Sequence, residues 1–260
     1  MKRLLLLLCT LFSCAVFAAP KAELWPYWNQ SDEANPTHVS HQEWQQILDN
    51  YLVTQGENTL FRYRSVSTAD QTKLKRYIQR LSNLDPRQYR KAEQYAYWVN
   101  LYNALTVDLI LDHYPIQSIT KLGGLFSFGP WDDEVVSING KSLTLNDIEH
   151  RILRPIWQDP RTHYAVNCAS LGCPNLQQQA FTANNTQVLL DNAAKAFINS
   201  DKGVSIQGNN AQLSSIYDWF AADFGGEAQV FDHIRKYAPQ YNSFSGRVTY
   251  DYDWSLNQAN

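Results

Sequence analysis

Runs of basic residues are missing from this sequence: nowhere do five or more lysines and arginines follow one another. Without such a patch, nucleic acid and anionic membrane surfaces are set aside as main partners. Cysteine is scarce, with four residues in 260 (Cys9, Cys14, Cys168 and Cys173), so a disulfide-dense scaffold is excluded. Long apolar runs are scarce too. The longest, Leu4 to Phe17, is about fourteen residues, short of the ~20 that a membrane helix needs. No internal repeat or low-complexity tract is found, which excludes a solenoid.

That apolar run is instead read as a leader. Met1-Lys2-Arg3 supplies a basic start, and Val16-Phe17-Ala18 offers small residues for cleavage after Ala18. The expectation is an exported protein, periplasmic or secreted. An imperfect lipobox, Leu11-Phe12-Ser13-Cys14, makes a lipoprotein anchor at Cys14 the lesser alternative, because Phe12 fits poorly. Loss of Lys2 and Arg3 leaves 20 basic residues against 25 acidic ones, a net charge of −5. Only Cys168 and Cys173 would then remain, an even number in an oxidising compartment.

Three segments are expected: the leader (1–18), an extended proline-bearing lead-in (19–39) and one globular domain (40–260). Ser40-x-x-Glu43 reads as a capping box for a helix carrying Trp44, Ile47, Leu48, Tyr51 and Leu52. Phe61 to Arg64 alternates like a short strand. Thr68-x-x-Gln71 opens a second helix, stopped at Asp85-Pro86. From about Gln88 to His113 runs a long helix whose second half is apolar nearly all round, as a central buried helix should be. Asn100, Asn103 and Asp108 within it argue against a membrane span. Asn100 and Asn103 share a face, and either hold a neighbouring loop or line a site.

Asn139-Gly140 between two alternating runs, Glu134–Ile138 and Lys141–Leu145, is a hairpin signal. Asn146 is expected to cap a short helix, Asp147 to Leu153, ended by Pro155. His163 to Cys168 reads as a buried strand. A helix over about 185–199, a second hairpin around Gly208-Asn209-Asn210, a helix opened by Ser215-x-x-Asp218, another around Val230–Tyr237 and a closing strand over 248–252 complete the chain. Hairpins mixed with helices, without a βαβ rhythm, predict an α+β fold: a central buried helix with further helices packed on short antiparallel hairpins.

Chemistry concentrates around His163-Tyr164-Ala165-Val166-Asn167-Cys168 and Cys173. Four readings compete there. Cys168 and Cys173 can form a disulfide, worth roughly 2 kcal/mol on the loop-entropy model. Cys168 can be a thiol nucleophile, which needs a base. On a strand, His163 would face away from Cys168, so His150 is the candidate base, with Glu149 or Asn100 orienting it. A zinc site or a redox dithiol are the remaining readings, but Cys-x4-Cys matches neither pattern, so no metal or cofactor is expected. Asn103, His163, Asn167 and Trp131 are candidate binding residues. The 34 aromatic residues are read mainly as core, with a sugar or peptide groove as the alternative.

Four stretches, taken together, resemble a known family. They are Tyr97-Trp98-Val99-Asn100-Leu101-Tyr102-Asn103, Asp147-Ile148-Glu149-His150-Arg151-Ile152-Leu153-Arg154, His163 to Cys168 through Cys173-Pro174, and Tyr252-Asp253-Trp254-Ser255-Leu256-Asn257. In order from about Tyr95 to Asn257 they resemble the domain of unknown function 547 family. The resemblance implies an exported bacterial protein in which Asn100, Asn103, His150, His163, Cys168 and Cys173 belong to a shared site. It supplies no activity. The leading expectation is a thiol-dependent hydrolase or acyl-transfer enzyme, with Cys168 as nucleophile and His150 as base. The alternative is a non-catalytic protein that binds a small molecule, peptide or glycan, with a structural Cys168–Cys173 disulfide.

Overall fold

A single helix organises the molecule. In the computed structural model, which describes residues 19–124 and 128–259, α3 (Lys91–His113) is buried from Glu93 through Val107 with no polar stripe left to solvent. The expected leader, with Cys9 and Cys14, lies outside the described residues. Around α3 pack α2 (Thr68–Ser82), α1 (Gln42–Tyr51) and two hairpins, β1–β2 (Leu52–Gln55, Asn58–Phe61) and β3–β4 (Glu134–Ile138, Lys141–Thr144). Trp28 of the lead-in is also buried, its ring 5.2 Å from that of Trp98 on α3. Each such side chain removed from water contributes about 1.5–3 kcal/mol. A second, smaller core gathers Tyr164, α5 (Thr186–Ile198), β5–β6 (Val204–Gln207, Asn210–Ser214), α6 (Ile216–Trp219) and α7 (Val230–Tyr237). The fold is α+β.

Several local expectations are corrected. The α1 helix begins at Gln42, so His41 rather than Ser40 precedes it, and no side chain caps it. Phe61 ends β2, and Tyr63–Ser65 form a 3-10 turn instead of continuing a strand. Neither Asn146 nor Ser215 caps its helix. Thr144 and Asp147 cap reciprocally instead, through Asp147 N to Thr144 Oγ1 at 3.0 Å and Thr144 N to Asp147 Oδ2 at 3.0 Å. The closing strand β7 (Arg247–Asp251) runs parallel to β6, so the sheets are not all antiparallel. The β3–β4 hairpin matches its turn signal, with Asn139 and Gly140 both at positive φ.

Pro155 does not stop the segment before it. Asp147–Leu153 is a π-helix that continues into α4 (Arg154–Trp157). In the i→i+5 pattern the His150 carbonyl would need the N–H of residue 155, and in the i→i+4 pattern so would the Arg151 carbonyl. Proline has none to give. The lead-in supplies both: Glu23 N–H donates to His150 O and Trp25 N–H to Arg151 O, each at 2.9 Å. π-turns of this kind are frequent at functional sites, and this one carries Glu149 and His150.

Candidate functional site

The two cores meet at a cavity of about 580 Å³. Glu149, His150 and His163 line its floor. Cys168, Cys173 and Val166 form one side. Its aromatic wall is continuous: the Trp131 and Trp254 rings lie 5.6 Å apart, Trp254 and Tyr252 4.6 Å, and Tyr252 and Trp219 4.8 Å. Tyr252 and Trp254 arrive on the C-terminal tail, which is sewn to the cysteine loop by Leu171 N to Ser255 O and Gly172 N to Asp253 O, both 2.8 Å. Gly172 permits that approach, because a Cβ there would sit 2.8 Å from Asp253 N.

His163 is not on a strand. It lies in a 3-10 turn, Pro160–Tyr164, with irregular chain from there to Cys168, so strand alternation does not apply and both residues line the cavity. The turn places His163 at the centre of a buried charge network. Its Nε2 donates to Asp223 Oδ2 at 2.7 Å, and its Nδ1 stands 3.7 Å from Glu149. Arg154 Nε donates to the same Asp223 oxygen at 2.6 Å. The Phe220 ring stacks on His163 at 4.4 Å and lies 4.7 Å from the Arg154 guanidinium, a cation–π arrangement for both.

Burial alone would neutralise these groups, but their partners decide otherwise. Burial pushes the His163 pKa down, yet Asp223 and Glu149 outweigh it and the net shift is upward. Burial pushes the Glu149 carboxyl up, and the surrounding imidazoles and Arg154 bring it to about 2. Asp223 is likewise held well below the usual carboxylate range by His163 and Arg154, against burial. At and behind the floor, the Glu149 and Asp223 carboxylates therefore face the Arg154 guanidinium and His163, whose pKa they raise.

His150 is different. Burial lowers its pKa to about 4, and Arg154 and His163 add to that while Glu149 opposes it. Arg154 Nη1 donates to His150 Nδ1 at 2.8 Å. A guanidinium can only donate, so Nδ1 must accept and the ring proton must sit on Nε2. As placed, His150 offers the cavity an N–H donor rather than a base for Cys168. The cysteines, in turn, form a disulfide, Cys168–Cys173. Their sulfurs are packed by the Tyr252 hydroxyl, 3.1 Å from Cys168 Sγ and 3.2 Å from Cys173 Sγ.

The asparagines hold loops. Asn100 grips the backbone of Phe181 from both ends of its amide, donating to the carbonyl at 2.8 Å and accepting from the N–H at 3.0 Å. It does not line the cavity and cannot orient His150. Asn103 does the same between Ala165 O (2.9 Å) and Asn167 N (2.8 Å), and Asn167 donates to Pro174 O (2.8 Å) while accepting from Ala169 N (2.9 Å). Trp131 does line the cavity. Among the described residues, no group of three or more His, Cys, Asp or Glu is arranged to hold a metal ion, and no helix is long and apolar enough to cross a membrane.

Residues 86–198, which carry α3, the π-turn, His163 and both cysteines, match the family described as Protein of unknown function, DUF547. Over that stretch, less than half of the chain, the sequence is similar to the DUF547 family. No curated protein and no solved structure matches it. The DUF547 match contains Glu149, His150, Arg154 and His163, whereas Phe220, Asp223, Tyr252 and Trp254 lie beyond it. Sequence reasoning missed Arg154 and Asp223 as site residues. Arg154 had a signal, four residues after His150 on one helical face. Asp223 had none, because its partners are brought to it only by the tertiary fold.

Proposed function

We propose that this chain is an exported ligand-binding protein that holds a small molecule, peptide or glycan unit non-covalently in the aromatic cleft. In this reading the Cys168–Cys173 disulfide is a structural wall. The observation that carries it is the Arg154–His150 hydrogen bond: it commits His150 to donate, so Cys168 lacks its expected base even when reduced. The paired cysteines and the leader-like N-terminus support an oxidising destination. A cavity of this size, mostly apolar with a few convergent polar groups, is the usual form of a small-ligand site.

The test is ligand binding by the oxidised chain and by a Cys168→Ser/Cys173→Ser double variant, screened by ligand-observed NMR with fragments, short peptides and oligosaccharides. Binding retained by the double variant is expected. Turnover or a covalent adduct that disappears in Cys168→Ser would overturn it. The second reading, thiol-dependent acyl transfer, is favoured by one observation, that Cys168 Sγ lines the cavity within 3.1 Å of the Tyr252 hydroxyl. It requires a reduced pair and a base other than His150.

A further inference from the structure

The charge balance of the cleft restricts what can enter it. No lysine or arginine side chain lines the cavity among the described residues, so an anionic ligand meets no guanidinium or lysine ammonium there. The His163 ring has its Nε2 bonded to Asp223 and its Nδ1 facing Glu149 at 3.7 Å, so it is already engaged. A cationic ligand meets two lining carboxylates, but Asp132 is exposed to solvent and bonded by Asn146 Nδ2 at 2.7 Å, and Glu149 is already faced by His163 at 3.7 Å. Burying an unpaired charge in such a place is costly. The floor instead offers one acceptor and one donor side by side on consecutive residues, Glu149 and His150. The wall beside them is a set of aromatic faces, Trp219, Tyr252 and Trp254, with Trp219 and Trp254 stacked at 26° and 5.7 Å.

We propose that the occupant is an uncharged, polyhydroxylated ring, a saccharide unit, whose C–H face lies on Trp219, Tyr252 and Trp254 while its hydroxyls donate to the Glu149 carboxylate and accept from His150 Nε2–H. A hydroxyl both donates and accepts, so neighbouring hydroxyls match this pair without bringing a charge. Sugar rings carry apolar C–H faces that fit aromatic walls, and the ring burial supplies the affinity that exposed hydroxyls lack.

This inference rests on the cleft being a non-covalent site, and the test separates the two. The oxidised full chain is titrated with chitotriose and maltotriose, with choline, with an acetylated dipeptide bearing a free carboxylate, and with indole, read by tryptophan fluorescence and saturation-transfer NMR. Saturable binding of at least one trisaccharide is expected, weakened at least tenfold in Trp219→Ala and in Trp254→Ala. A cooperative thermal transition in each variant shows that it is folded. A variant that does not fold is replaced by Trp219→Phe or Trp254→Phe, for which a smaller loss in the same direction is expected. Preferential binding of choline or of the dipeptide overturns the proposal, as does trisaccharide binding that ignores both tryptophans. Binding of indole alone overturns the saccharide while leaving the cleft as a ligand site; no binding by any probe overturns both.

Discussion

Two buried polar clusters in the molecule are built on opposite plans. The amides of Asn100, Asn103 and Asn167 clip backbone groups of Phe181, Ala165, Pro174 and their own loop, and Asn167 also accepts from Asn257 Nδ2. The charged cluster of Glu149, His150, Arg154, His163 and Asp223 satisfies itself from within and keeps one edge on the cavity. An amide clip uses a whole side chain to fix a loop and leaves nothing for a ligand. A self-neutral ionic cluster tolerates burial and still presents a donor and an acceptor. The first cluster positions the site and the second is the site.

Acid should destabilise the fold through its buried neutral histidines, of which His150 belongs to the charged cluster. His41, His150 and His233 are lowered to about 4 by burial, from 6.5 unfolded. Between those values the unfolded chain takes up protons that the folded chain refuses, so stability falls as pH drops from 6.5 to 4, by about 2–3 kcal/mol per ring. His163 runs the other way: its raised pKa gives stability that is full below 6.5 and is lost as pH rises through its folded value. The measurement is urea unfolding across pH 4–8, and a flat profile below 6.5 would remove the contrast between neutral and charged histidines.

The amide plan is tested by Asn103→Ala. It leaves a buried carbonyl and a buried N–H unpaired, each costing about 1–3 kcal/mol, so a total loss of about 2–6 kcal/mol is expected in urea unfolding. A loss under about 1 kcal/mol would mean that the clip is not holding the loop.

Legibility in the sequence obeys the same division. Elements decided by neighbours in the chain could be read: α2, α3, α5, α7 and the Asn139-Gly140 hairpin each carry their signal within one segment. Pro155 misled because its missing N–H is compensated by Glu23 and Trp25, more than a hundred residues earlier. The 163–168 stretch looked like a strand because it is apolar, but Pro160 starts a 3-10 turn and Asn103 fixes the backbone from Ala165 to Asn167. Glu149, His150 and His163 were legible as candidates by residue type. Their wiring through Arg154 and Asp223 was not, since residue 223 meets residue 163 only in the folded chain.

Reduction of the disulfide should have a smaller effect than acid or the Asn103 substitution. Cys168 and Cys173 close a short loop already pinned by Asn167 and the tail, and about 2 kcal/mol of stability is expected to be lost on treatment with dithiothreitol. Unchanged stability on verified reduction would remove its structural role.

The chemistry of the cleft turns on His150 being a neutral donor, fixed by Arg154. Long-range ¹H–¹⁵N correlation of its imidazole reads this state. The expected spectrum is that of a neutral ring protonated on Nε2, unchanged from pH 8 to pH 5.5 and titrating near 4. A ring protonated on Nδ1, or one that titrates at 6.5 or above, would return His150 to the role of base and undo the reading of the cleft as a non-covalent site.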